Sequence, residues 1–472
     1  MHDNNTGPLQ RFLHEDRLFP SDPATRAVAR RLYATVRDLP IISPHGHTDA
    51  RWFADDQPFP NPAALFIAPD HYIFRMFYSQ GIQLESLGIR GCPADPREVW
   101  RIFARNYYLF RGTPTRMWLD YSFATLFGCT ELLTPANADE YYDRISEHLS
   151  RAEFRPRALF DRFHIEVLTT TDSPNDSLDA IQSIRKSGWK GRILPAFRPD
   201  PVVDPDFHGF KKNIIQLGKL TGENTASWQG YLQALRMRRQ FFKSMGATST
   251  DHGHPTARTA DLNLTTAKAL FKKVFSGKAN PKEQELFRAQ MLTEMAGMSA
   301  EDGLVMQLHP GSVRNYNPVI YEKFGRDMGA DIPQPTDYVN ALRPLLAKYG
   351  NHSNFTLVLF TIDETSFSRE LAPLAGHYPS VRLGPPWWFL DSPEGMMRFR
   401  EAATETAGFY NTVGFNDDTR AFLSIPARHD VARRVDSAFL ARLVVEHRLN
   451  EDEAVEVIRD LTVGLVRKAY RL

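Results

Sequence analysis

The sequence predicts an α/β protein built as a (β/α)8 barrel of the TIM type, with a helical insertion after the first strand. Three observations carry this. Apolar runs of strand length recur along the chain, segments of helical period separate most of them, and each run closes in polar or turn residues. Strands alternating with helices imply parallel βαβ units, and eight such units imply a closed barrel whose strand ends converge on one face. No GxGxxG follows any run, so an open dinucleotide-binding sheet loses support. The 472 residues suffice for one large barrel with insertions, and residues 1–472 are read as a single domain.

In chain order, Asp22 can cap and Pro23 can open a helix over residues 22–38, with Ala27, Leu32 and Val36 on its apolar stripe. The first strand run, Leu39-Pro40-Ile41-Ile42-Ser43-Pro44, stops in His45-Gly46-His47. If the strand persists that far, its period of two puts both histidines on one face, and Gly46 adds no side chain between them. Residues 50–160 hold Trp52, Phe53, Tyr72, Trp100, Tyr107 and Trp118 at mostly helical spacing without a strand run. They are expected to form the helical insertion, able to reach back over the site.

Seven further strand runs follow. They are Ile165–Leu168 into Asp172, Arg192–Phe197 into Arg198 and Asp200, Gly246–Thr250 into Asp251-His252-Gly253-His254, and Leu304–Leu308 into His309. The last three are Phe355–Phe360 into Asp363, Val381–Gly384 into Trp387 and Trp388, and Thr412–Asn416 into Asp417 and Asp418. Helical patterns over 176–186, 227–245, 281–298 and 336–349 separate most of them. Asn450, with Glu453 three residues on, marks the start of a closing helix that runs to Tyr470.

Fifty-seven basic against 56 acidic residues leave a formal charge of +1, which gives no electrostatic case for nucleic acid or an anionic membrane. The stretch Met1–Thr6 is polar, and no segment approaches the roughly 18 apolar residues of a membrane span. A soluble, unexported protein is therefore expected. Two cysteines, Cys92 and Cys129, are too few for a disulfide framework and fit a reducing cytoplasm.

The titratable residues fall where a barrel keeps its chemistry: His45, His47, Asp172, Arg198, His252, His254, His309, Arg314, Asp363, Asp418 and Arg420 all follow strand runs. The ordered pieces are His45-Gly46-His47, Asp70-His71-Tyr72 with Arg75, Thr171-Asp172-Ser173-Pro174, and Leu194 through Asp200. Further on come Asp251-His252, Gln307 through Gly311 with Arg314, Trp387-Trp388-Phe389, and Asp418-Thr419-Arg420. Together, over nearly the whole chain, they resemble the uronate isomerase (glucuronate isomerase) family of the amidohydrolase superfamily. Leu390 and Phe415-Asn416-Asp417 depart from that family's usual residues.

The resemblance implies an aldose–ketose isomerase on a barrel of the metal-dependent hydrolase kind. It would interconvert D-glucuronate and D-fructuronate, or D-galacturonate and D-tagaturonate, by proton transfer between C2 and C1. It also implies one divalent metal held by His45, His47 and Asp418; His252 and His309 both qualify as a further ligand or, alternatively, as hydrogen-bond partners of the sugar or of a neighbouring carbonyl. Two imidazoles and a carboxylate suit zinc. The reaction needs a base near C2, a polarised carbonyl and a proton relay between oxygens. Asp418 is the candidate base and Tyr72 the relay, with His71 and Arg75 beside it; Arg420 and His309 complete the catalytic set. A C6 carboxylate calls for an arginine fork, for which Arg198, Arg314 and Arg420 are available. Trp387 and Trp388 are expected to wall the pocket. The implied partners are a small-molecule uronic acid and other copies of the chain in a homo-oligomer, with no nucleic acid and no membrane. The rival is a metal-dependent hydrolase on the same barrel, against which Asp418-Thr419-Arg420 and Leu194 through Asp200 speak.

Overall fold

Seven parallel strands curl side by side: β1 (Ile41–Ser43), β2 (Ile165–Asp172), β3 (Arg192–Phe197), β4 (Ser249–His252), β5 (Val305–Leu308) and, after a small antiparallel pair β6 (Ser312–Val313) and β7 (Ile332–Pro333), β8 (Leu357–Leu359) and β9 (Val381–Leu383). The order β1-β2-β3-β4-β5-β8-β9 follows the chain, as successive right-handed βαβ units require. This computed structural model describes residues 13–472, so the polar stretch Met1–Thr6 lies outside the described residues.

The eighth expected strand is a correction. Thr412–Asn416 makes one parallel bridge, Thr412 to Leu383, with Leu383 N donating to Asn411 O at 2.8 Å and Val413 N donating to Leu383 O at 3.0 Å. Gly414 at φ 79° and Asp418 at φ 41° turn the chain out of extended geometry before a ladder can grow. On the other side, among the described residues, the main-chain link from this stave to the β1 segment is His47 N donating to Thr419 O at 3.1 Å. The fourth run is also displaced. β4 begins at Ser249, not Gly246, and pairs Asp251 with Gln307 and His252 with Leu308.

Side-chain alternation sorts the strands. Ile42, Val167, Val305, Val358 and Val413 meet inside the curl with Phe360, Trp387 and Tyr470, while their neighbours Ile41, Leu168, Met306, Leu357 and Leu359 pack outward on helices. Each such fully buried aliphatic side chain contributes about 1.5–3 kcal/mol.

Between β1 and β2 the described chain forms helices only, from Ala50–Asp55 to Pro156–Arg162. Most of the aromatic residues there are core, with Trp100, Phe103, Phe123 and Phe127 in one cluster. Helix His71–Ser79 differs. Asp70 caps it by accepting from Tyr72 N at 2.8 Å, and that capped end carries His71 and Tyr72 to the strand ends.

The 21-residue helix Ile425–Val445 shows no apolar stripe because it is buried nearly all round, which is why periodicity misses it. Its Arg433 donates to Arg37 O, Leu39 O and Pro40 O at 2.7–3.0 Å and so fastens the entry to β1. No described helix is long and apolar enough to cross a membrane, and Cys92 and Cys129 are unpaired.

Candidate active site

The strand ends open on a cavity of about 340 Å³ lined by His45, His47, His71, Tyr72, Arg198, Asp251, His309, Arg314, Asp327, Trp387, Trp388, Asp418 and Arg420, among others. Its size is that of a small-molecule pocket. At its floor His45 Nε2 and His47 Nε2 lie 3.3 and 3.1 Å from the same atom, Asp418 Oδ1. That oxygen is buried and makes no hydrogen bond. Donor atoms converging on one point without bonding one another are what a cation would satisfy. Burial opposes ionisation of Asp418, but the two imidazoles hold its carboxyl well below the usual carboxylate range. Its φ of 41° is unfavourable for a residue with a side chain, a strain of about 1–3 kcal/mol that active sites commonly carry.

His309 joins from the end of β5. Its ring stacks on His45 at 4.7 Å and on Phe360 at 3.9 Å, and one of its ligand nitrogens groups with those of His45 and Asp418 within 4.8 Å. Its Nδ1 is 2.7 Å from Asp251 Oδ1, and its Nε2 has no partner. An ionised Asp251 accepts, so Nδ1 carries the proton and Nε2 presents a lone pair to the cavity. Asp251 itself is fully enclosed. Burial pushes its carboxyl up, and Arg198, whose Nη1 is 3.0 Å away, together with His309 more than reverses this.

The three arginines are not equivalent. Arg198 is bound by two carboxylates, Asp251 and, through Nε at 2.8 Å, Asp200. Arg314 donates to Asp331 at 3.0 Å, and among the described residues Arg420 has only Asp327, at 3.5 Å. Arg314 and Arg420 therefore keep donors free for an anion.

On the insertion side Tyr72 packs edge-on against Trp118, with the Arg428 guanidinium 5.3 Å from its ring centre. Burial raises the Tyr72 phenol well above its ordinary value, so it is a phenol, not a phenolate, at neutral pH. Burial also lowers His71 to about 3, leaving a neutral imidazole. Asp391, paired with Arg428, is raised to about 7, chiefly by burial.

Of the residues singled out from sequence, most line this cavity, but His252, His254, Asp363 and Arg75 do not. β4 extends through His252, so the alternation that turns Asp251 towards the cavity turns His252 away from it. There it groups with Asp200 and His254, whereas a ligand nitrogen of His309 groups with those of His45 and Asp418. Asp251, Asp327 and Asp200 were given no role from sequence, although Asp251 sits in the quoted Asp-His pair and Asp200 closes the Leu194 stretch.

A parallel α/β barrel with a histidine–carboxylate cluster at its strand ends is an enzyme architecture of the amidohydrolase type. Within that type, the glucuronate isomerase family profile matches residues 9–468, and the chain belongs to that family. A uronate isomerase of Rhizorhabdus wittichii is 63% identical over 460 residues, 98% of each chain. Among solved structures, the glucuronate isomerase of Caulobacter crescentus superposes with a TM-score of 0.96 at 61% identity, covering 97% of this chain and 96% of that one. The uronate isomerase of Thermotoga maritima superposes at 0.91 with 28% identity, covering 97% and 99%.

Proposed function

We propose that this chain interconverts D-glucuronate and D-fructuronate, with D-galacturonate and D-tagaturonate as a second pair, by moving a proton between C2 and C1. The observation that carries the reading is the meeting of His45, His47 and Asp418 at the floor of a cavity whose walls hold Tyr72, Arg314 and Arg420. His45, His47 and Asp418 would hold a divalent cation, zinc by the chemistry of the donors, and His309 is placed to join them. Such an ion supplies Lewis-acid polarisation of a sugar oxygen.

The remaining roles belong to the chain. Arg314 and Arg420 fork the C6 carboxylate, and Trp387 and Trp388 wall off water. Arg198 holds Asp251, which fixes the His309 tautomer. Asp418 takes the C2 proton and returns it to C1, while Tyr72 gives its phenolic proton to O1 and regains one from O2, so that atoms and charge balance across an enediol. The protein acts as a homo-oligomer in the cytoplasm, a reading supported by its unpaired cysteines and by the apolar side chains Tyr316 and Val319 exposed beside β6.

Purified protein incubated with each uronate, with and without chelator, tests this. Ketose should form, and chelation should abolish it. No ketose from metal-replete protein would sink the reading, and cleavage of an amide or ester instead would favour the hydrolase.

A further inference from the structure

The triplet His-Gly-His occurs twice. Beyond the rim, His252 and His254 are almost wholly enclosed, and Asp200, 6% exposed, reaches them from the segment after β3. One ligand atom from each of the three lies within 4.8 Å of the others. His252 Nε2 has Thr250 Oγ1 at 3.1 Å, but among the described residues His252 Nδ1 and both ring nitrogens of His254 have no partner. Native interiors rarely leave three polar atoms in one spot unsatisfied. Each neutral imidazole offers one lone pair and Asp200 a carboxylate oxygen, so a single cation would engage one nitrogen of each ring together with Asp200, the other His254 nitrogen keeping its proton.

The surroundings resemble the outer layer of a metal site. Asp200 is oriented by Arg198 Nε at 2.8 Å and by Gly253 N at 3.2 Å, outer contacts that hold a ligating carboxylate in place. Gly253 lets the backbone pass, because a Cβ there would lie 2.2 Å from Arg198 Nη2 and 2.9 Å from Asp200 Oδ2. We infer that Asp200, His252 and His254 form a second, buried site for a divalent transition-metal ion of the zinc type, distinct from the His45–His47–Asp418 cluster. Three protein ligands leave one tetrahedral position for water.

The test is metal content. Full-length protein is loaded with excess Zn²⁺, desalted, and its zinc per chain measured by mass spectrometry for wild type, H254Q and H45A. Two ions are expected in wild type and one in each variant. One ion in wild type, kept in H254Q and lost in H45A, overturns the second site. Two ions in wild type, both kept in H254Q, overturns its assignment to these residues. Loss of an ion from H254Q but not from H45A supports the inference while removing the rim site, so the two readings fail separately. Should H254Q not fold, Co²⁺ titration of H45A decides: one equivalent with visible bands of a four-coordinate ion supports the site, and no uptake overturns it.

Discussion

His45-Gly46-His47 follows β1 and opens on the cavity, whereas His252-Gly253-His254 begins inside β4 and is enclosed. The first triplet meets a carboxylate, Asp418, that no arginine among the described residues neutralises within bonding distance. The second meets Asp200, which Arg198 already holds. Position along the strand makes this difference. A triplet two residues beyond the strand is free to turn both imidazoles to one point, and a triplet that starts in the ladder is bound by its alternation. The same three letters thus line an open cavity in one place and are buried behind its wall in the other.

The comparison predicts its largest effect at Asp418. Asp418→Asn keeps the shape and one oxygen but loses basicity, so kcat per bound metal should fall roughly 10²–10⁴-fold. A value within about threefold of wild type, at matched folding by circular dichroism, would hand the proton to His309 or Tyr72.

Free arginine donors at the rim predict the next effect. D-Glucose should be a poorer substrate than D-glucuronate by at least about 10²-fold in kcat/KM, because a site built for a polar group rejects its absence. Similar values would remove Arg314 and Arg420 from substrate binding.

Asp172 separates the two regions by pH. It lines the rim with Thr170 Oγ1 as its side-chain partner among the described residues, and burial raises it from an ordinary 3.8 to about 7. In contrast, Asp200, buried but paired with Arg198, is lowered. A raised acid binds its proton more tightly in the folded state, so its contribution is lost as pH rises from about 4 through about 7. Asp172→Asn should therefore gain about 2–3 kcal/mol over wild type between pH 5 and pH 8, read by urea unfolding. A pH-independent gap would mean the carboxyl is ionised throughout.

The smallest contrast is between the glycines. A Cβ at Gly46 would meet Thr169 O at 3.5 Å, an ordinary contact, while one at Gly253 would strike Arg198. Gly253→Ala should cost about 1–3 kcal/mol and Gly46→Ala less than about 1 kcal/mol. Equal losses would erase the distinction.

Sequence reading reaches the strands well where apolar runs are long. Arg192–Phe197 is both the run read from sequence and the strand observed. It misplaces β4 because Ser249 to His252 is polar and its burial comes from neighbours, not from its own composition. The rim residues are legible because their chemistry stands at strand ends. Asp251 is not, since its role depends on a 2.7 Å contact with a histidine 58 residues away that no local pattern encodes. The near-complete burial of Ile425–Val445 hides that helix for the converse reason: its charges face partners inside the protein.

The single main-chain bond from His47 to Thr419 has a mechanical consequence. The barrel is a hoop whose two ends are joined by one stitch among the described residues, and a cation held by His45, His47 and Asp418 would buckle them across that gap. Whatever loosens the buckle slackens the hoop. Substitutions there should lower the melting temperature as well as the rate, and a loss of turnover at these positions can be assigned to chemistry only after the melt has been recorded.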